Sequence, residues 1–218
     1  MEKEKVIEKT VEFVKQNLKD NDSGHDWWHI YRVWKLAKHI AKKERGCDLF
    51  VVELGILLHD IADYKFHGGD KEIGPKKTRE FLTSLNLNPK VIDHVENIVR
   101  HASYSDTIEK QKFKSKELEI VQDADRLDAM GAIGIARCIN YGGYKNRAIY
   151  DPEIKPKLNM TAEEYKKTDS PSINHFYEKL LLLKDRMNTK TGREIAEGRH
   201  RFMEEYLREF YKEWEGEF

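Results

Sequence analysis

The fold is decided by residues 49–60, which read LFVVELGILLHD. From Leu49 to Leu58 the side chains are apolar almost without exception, interrupted by Glu53, so the stretch has no polar face. A helix that is apolar all round is typically buried at the centre of a domain. The run is far shorter than the roughly 18 apolar residues of a membrane span. We therefore predict a central buried helix over about residues 49–62, which runs into His59 and Asp60.

The segments on both sides of this helix also have helical spacing. Caps are expected at Asp48, Asn88-Pro89 and Ser115, and Gly46 is a suitable stop for the helix before Asp48. The helices are predicted over about 6 to 19–21, 27–43, 49–62, 75–85, 91–100, 117–139, 170–187 and 193–214, with a loop over 141–159. Within 117–139, Gly131 and Gly134 imply close packing or a bend. Because neither strand alternation nor an internal repeat is present, the predicted class is all-α, a single-domain helical bundle.

The composition excludes several classes of function. Lys plus Arg and Asp plus Glu both number 39, so no global field attracts nucleic acid or an anionic membrane, and no broad nucleic-acid binding is expected. The N-terminal residues MEKEK lead into an amphipathic stretch and not into the apolar core of a signal peptide. Cys47 and Cys138 are in no paired motif, which fits a reducing compartment. We expect a cytoplasmic protein without membrane contact.

The pair His59-Asp60 is the first chemical signal. Burying an adjacent imidazole and carboxylate at the end of an apolar helix is costly unless a metal ion or another partner satisfies them. Neighbouring helix residues diverge by about 100°, so both reach one ion only where the helix ends or bends. The alternative is a structural histidine interacting with the helix dipole beside a capping carboxylate.

Two further motifs distinguish these readings. His29 lies in GHDWWHIYRV at 24–33, and Asp125 lies in DADRLD at 123–128. In this order, His, His-Asp and a distant Asp resemble the HD-domain superfamily of metal-dependent phosphohydrolases, in particular its small single-domain bacterial branch. The likeness extends to NHFYEKL at 174–180 and IAEGRH at 195–200. It implies one HD-type domain over 1–218, with a metal-binding core at about 22–140 and C-terminal helices at about 160–215 that complete the cleft.

The resemblance implies one divalent ion held by His29, His59, Asp60 and Asp125. Two imidazoles and two carboxylates leave two octahedral positions open, which suits Mn²⁺, Fe²⁺, Co²⁺ or Ni²⁺ better than closed tetrahedral zinc. Mn²⁺ is the leading expectation. His25 competes with His29, because residues four apart share a helix face and such a pair also chelates.

Catalysis and substrate binding need further side chains. Asp63 occupies the position where related phosphohydrolases carry an acidic residue that orients or deprotonates the attacking water, and Arg32 lies next to His29 in sequence. The other candidates for phosphate binding are Lys65, Lys179 and Lys184 as cations and His101 and His175 as hydrogen-bond donors. The alternative for each is a solvated surface group.

The leading functional hypothesis is a hydrolase that cleaves a nucleotide phosphoanhydride, converting a nucleoside triphosphate to a monophosphate and pyrophosphate. This substrate comes from the resemblance alone. A nucleotidase or another small-phosphoester hydrolase would use the same ligands. Two alternatives of another class are an iron-dependent HD-type oxygenase and a non-catalytic helical metal-binding protein. The expected partner is a small phosphorylated molecule, and the choice between monomer and homo-oligomer is left open.

Overall fold

The structure is a computed structural model that describes residues 2–19, 26–62, 70–102, 113–158, 160–161, 164 and 169–217. It divides into two compact units, Met1–Asp125 and Arg126–Phe218. Every regular element in the described residues is a helix, which confirms the all-α class. None of the described helices is both long and apolar enough to cross a membrane. The grouping of residues 1–218 into one domain stays a prediction.

Within the described residues, six helices begin in the first unit, and the last of them runs past the boundary at Asp125. They are α1 (Lys3–Asn17), α2 (Trp27–Lys43), α3 (Leu49–Leu58), α4 (Ile73–Ser84), α5 (Pro89–His101) and α6 (Lys116–Asp128). The second unit contains α7 (Gly131–Tyr144), α8 (Asn174–Glu178), a 3₁₀ helix (Leu180–Arg186) and α9 (Lys190–Glu215).

Helix α3 lies at the centre of the first unit, as its apolar sequence predicts. Leu54 and Leu58 are fully buried, and the helix packs against α1, α2 and α5. A Cβ on Gly55 would lie 2.9 Å from Cγ2 of Ile98 on α5 and 3.5 Å from Cγ2 of Val121 on α6. The missing side chain at residue 55 therefore lets these helices approach α3 closely.

The predicted caps at the ends of these helices are present. The Asp48 carboxylate accepts a hydrogen bond from the backbone N–H of Phe50 at 3.0 Å, and the Asn88 side chain accepts one from Lys90 at 2.9 Å. Gly46, between α2 and α3, has a φ of +84°. A side chain rarely tolerates that left-handed conformation, so glycine is the suitable residue there.

Several predicted helix boundaries differ from the structure, and two predicted helices are interrupted. Helix α3 ends at Leu58, because the N–H of Ile61 bonds back to the Leu58 carbonyl in a tight turn. The predicted helix over 117–139 is two helices, separated where Gly131 adopts a φ of +70°, and α7 continues to Tyr144 in the predicted loop. The predicted helix over 170–187 is also interrupted, because Lys179 leaves the helical region with φ −147° and ψ −55°.

Candidate metal centre

His59 is positioned by the end of α3. Its side chain is 3% exposed, and its Nδ1 lies 2.7 Å from the carbonyl oxygen of Ile56. A carbonyl only accepts hydrogen bonds, so Nδ1 carries the proton and donates it. Nε2 is then the nitrogen available to a metal ion, which histidine binds as the neutral imidazole.

His29 approaches from the first turn of α2. The Asp26 carboxylate caps this helix by accepting a hydrogen bond from the backbone N–H of His29 at 2.8 Å, and the His29 side chain is fully buried. The centroids of the His29 and His59 rings are 5.5 Å apart. A helix start and a helix end therefore bring two imidazoles to one place.

Two carboxylates lie against both imidazoles. Oδ2 of Asp60 is 3.5 Å from Nε2 of His29 and 3.4 Å from Nε2 of His59. Oδ1 of Asp125, on α6, is 3.4 Å from Nε2 of His29 and 3.7 Å from Nε2 of His59. The ligand atoms of His29, His59 and Asp125 all lie within 4.8 Å of one another.

These four residues fit a divalent cation. The buried Nε2 of His59 makes no hydrogen bond within the described residues, and leaving such an atom unsatisfied costs about 1–3 kcal/mol. The imidazole nitrogens and the Asp125 carboxylate oxygen are 3.4–3.7 Å apart, which is longer than an ordinary hydrogen bond. Two ligand atoms that each lie about 2 Å from the same ion are separated by such distances. Imidazoles mixed with carboxylates are typical ligands of first-row divalent metals.

Electrostatics within the cluster also favour cation binding. Burial alone would raise the pKa of Asp125, but His29 and His59 outweigh it and hold that pKa well below its usual range. Burial would likewise lower the pKa of His59, but the carboxylates of Asp60 and Asp125 outweigh it and raise that pKa. The Asp125 carboxylate is therefore ionised, as a metal ligand must be.

The structure places the remaining predicted residues of the first unit as follows. Arg32 is half-buried on α2, one turn after His29. His101 is the last residue of α5, its ring stacks on Phe113, and its carbonyl accepts a hydrogen bond from Gln122 on α6 at 2.9 Å. This hydrogen bond joins α5 to the helix that carries Asp125. Gln122 was not predicted from the sequence. Asp63, Lys65 and His25 lie outside the described residues.

The other three predicted phosphate-binding residues belong to the second unit. His175 and Lys179 lie together at α8, and Lys184 lies in the 3₁₀ helix with its Nζ 3.8 Å from Oε1 of Glu197. Burial, Lys179 and Arg147 lower the pKa of His175 to about 3. Arg147 had not been singled out in the sequence, because an isolated arginine in a presumed loop carries no spacing signal.

Known proteins resemble this chain over most of its length. The family model for the HD domain matches residues 27–130. The Bacillus subtilis protein YpgQ is 37% identical over 220 residues, which cover 99% of this chain and 97% of YpgQ. A crystal structure of YpgQ in complex with ADP superposes with a TM-score of 0.76 at 35% identity, covering 98% of this chain and 97% of that one.

A second solved structure carries the superfamily in its name. The crystal structure of an HD-superfamily hydrolase from Bacillus thuringiensis is 44% identical, with a TM-score of 0.78, and the match covers 98% of this chain and 99% of that one. These likenesses agree with the His, His-Asp and Asp order of the metal centre. The chain belongs to the HD-domain superfamily of metal-dependent phosphohydrolases.

Proposed function

We propose that this protein hydrolyses the phosphoanhydride bond of a nucleotide, converting a nucleoside triphosphate to a monophosphate and pyrophosphate. The observation that carries the proposal is the convergence of the His29 and His59 imidazoles with the Asp60 and Asp125 carboxylates at the buried end of α3. The binding of ADP by the relative YpgQ supports a nucleotide as the ligand.

The four converging residues would hold one divalent ion, with Mn²⁺ as the leading choice. Such an ion supplies an acidified water as nucleophile and takes up negative charge on the phosphoryl oxygens. His59 presents Nε2 because Ile56 holds the proton on Nδ1. Asp125 contributes a carboxylate that the neighbouring imidazoles keep ionised.

The remaining steps are proposed for other residues of the chain. Asp63 is proposed to orient the attacking water and accept its proton, and Arg32 to bind a phosphoryl oxygen from α2. Lys65, His101, His175, Lys179 and Lys184 are the proposed contacts to the rest of the substrate.

A nucleotidase on the same ligands is the closest rival, because both reactions begin with attack of a metal-activated water on phosphorus. The two differ in their products. A pyrophosphohydrolase releases pyrophosphate from triphosphates, and a nucleotidase releases phosphate from monophosphates.

The decisive experiment measures both products from nucleoside mono-, di- and triphosphates, using metal-stripped protein supplied with Mn²⁺, Co²⁺, Ni²⁺ or Mg²⁺. Pyrophosphate from triphosphates, lost in Asp60→Ala and retained in the control Asp185→Ala, is expected. Asp185 is the matched control because it is an exposed aspartate. Phosphate from monophosphates would replace the proposal with a nucleotidase. No product with any metal, in protein that binds Mn²⁺ stoichiometrically, would refute hydrolysis of nucleotides.

A further inference from the structure

A cavity of about 200 Å³ lies in the second unit, between the segment that follows α7 and the helices α8 and α9. Its lining includes three tyrosines, an asparagine, a lysine and an isoleucine: Tyr150, Tyr177, Tyr211, Asn174, Lys155 and Ile154. Pockets for drug-sized ligands hold about 300–1,000 Å³. This cavity is therefore sized for a single ring system and not for a whole nucleotide.

The tyrosine walls of the cavity are held by other aromatic rings. The Tyr150 ring packs edge-on against three rings of α9, those of Phe210, Tyr211 and Trp214, whose centroids are 5.8, 5.4 and 4.9 Å away. Such edge-to-face packing favours one orientation of each ring. Burial raises the pKa of the Tyr211 hydroxyl, and its interaction with Tyr177 adds to the rise. The cavity thus presents ordered aromatic surfaces, and the Tyr211 surface is uncharged at neutral pH.

Hydrogen bonds hold the wall formed by residues 150–156 against the start of α8. The Ile173 N–H donates to the Ile149 carbonyl at 2.9 Å, and Nδ2 of Asn174 donates to the Ile154 carbonyl at 2.8 Å. Two prolines of the same segment also line the cavity and restrict its backbone. A ligand that enters walls already ordered in this way binds at a lower cost in entropy.

The polar groups of the cavity suit the edge of a heteroaromatic ring. Asn174 is almost fully buried, and a side-chain amide has two N–H donors and an oxygen acceptor. Within the described residues, the bond to Ile154 is the single hydrogen bond of this side chain, which leaves one N–H and Oδ1 for a ligand. An adjacent donor and acceptor are the groups with which an amide binds the edge of a base.

The charge at the cavity argues against a cationic ligand. Tyrosine rings can enclose a quaternary ammonium group, because their faces attract cations. Here, however, Lys155 lines the cavity, with its Nζ 3.1 Å from the Pro152 carbonyl oxygen. None of the described residues that line the cavity is acidic. The lysine therefore repels a cation and attracts an anionic substituent such as a phosphate.

We infer that this cavity binds the purine or pyrimidine base of a nucleotide. The base packs against the tyrosine rings, its edge bonds to the Asn174 amide, and Lys155 attracts the phosphate that the nucleotide carries. The choice of a base among heteroaromatic rings rests on the proposed function. The nucleotide is either the substrate itself or a second molecule that binds away from the metal.

Calorimetric titration of the full chain with adenosine, guanosine, cytidine and uridine, in buffer containing a chelator, tests the inference. Wild type is expected to bind at least one nucleoside. Tyr177→Leu should weaken that binding by at least about fivefold, the lower end for the loss of one base-stacking ring, and Ile154→Trp should abolish it by filling the cavity. Tyr144→Leu is the matched control, because Tyr144 is 72% exposed at the end of α7. Circular dichroism verifies that each variant is folded.

Three results would overturn the inference. They are no nucleoside binding by wild type, wild-type affinity in folded Tyr177→Leu and Ile154→Trp, and displacement of the nucleoside by tetramethylammonium, which would indicate a cation site. Kinetics of nucleotide hydrolysis separate the two sources of the base. A raised KM in Tyr177→Leu assigns the base to the substrate, and an unchanged KM assigns it to a second nucleotide.

Failure of the inference differs from failure of the proposed function. If nucleotides are hydrolysed but no nucleoside binds at the cavity, the inference fails and the proposed function stands. If a nucleoside binds through Tyr177 but no nucleotide is hydrolysed, the proposed function fails and the site stands.

Discussion

At the scale of single residues, His59 connects fold and chemistry most directly. The carbonyl of Ile56 is available to its Nδ1 because α3 ends there, and this contact leaves Nε2 to face the two carboxylates. The grouping of His29, His59, Asp60 and Asp125 was expected from the resemblance to a family, and the structure places the four side chains together. Arg147, whose charge acts on His175, was not anticipated, because its place depends on backbone bonds between residues 148–149 and 172–173 that no local pattern encodes.

His29→Ala should lose divalent-metal binding, because it removes a fully buried imidazole whose Nε2 lies against both carboxylates. Titration of the metal-free variant with Mn²⁺ should show an affinity at least about tenfold weaker than that of wild type. Removing a residue that merely supports a metal ligand already weakens metal binding by about that factor. Mn²⁺ should also raise the melting temperature of wild type and leave that of the variant unchanged. His39→Ala, at an exposed position of the same helix, is the control and should behave as wild type.

His175 should make the fold less stable in acid. Its pKa is about 3 in the folded protein and about 6.5 in an unfolded chain. The unfolded state therefore takes up the proton first, and stability present above pH 6.5 is lost as the pH falls toward 3. By pH 5 the loss is about 2 kcal/mol. Urea unfolding at pH 7 and pH 5 should show a smaller loss for His175→Asn by about that amount. Equal losses would contradict a His175 that stays neutral in the folded protein at pH 5.

At the scale of elements, caps and periodicity predicted the positions of the helices more accurately than the breaks within them. Residues 27–43 were predicted correctly as a helix, because the apolar spacing and the flanking polar residues agree. Gly131 was expected to mark close packing or a bend, and the chain does break there. The break at Lys179 was not located, since it lies within a continuous apolar pattern. A backbone that leaves the helical region for a single residue does not alter that pattern.

Gly55→Ala should destabilise the protein, even though alanine is the better helix former. The added Cβ would lie 2.9 Å from Cγ2 of Ile98, a methyl on a β-branched side chain whose χ1 rotates little, so α5 must shift at a cost of about 1–3 kcal/mol. Gly198→Ala is the matched control, because nothing lies within 4 Å of a Cβ there, and it should stabilise α9 by up to about 1 kcal/mol. Urea denaturation of both variants measures this difference, and equal effects would refute close packing at residue 55.

At the scale of the whole molecule, the candidate metal centre joins segments from distant parts of the sequence. α2, the end of α3 and α6 contribute its side chains, and the buried side chains of α3 fix where that end lies. The all-α class followed from composition and spacing, and the superfamily followed from the order of three short motifs. The substrate did not follow from either, because the same ligands support several phosphoester hydrolyses.

The central claim is that this cluster holds the ion that drives nucleotide hydrolysis. Its most direct test measures bound manganese and pyrophosphate release from a nucleoside triphosphate in the same samples of metal-stripped and Mn²⁺-reloaded protein. Wild type and His39→Ala should bind about one ion and release pyrophosphate only when reloaded, whereas His29→Ala should do neither. Pyrophosphate release by folded His29→Ala at the wild-type rate, or by wild type without metal, would contradict the claim.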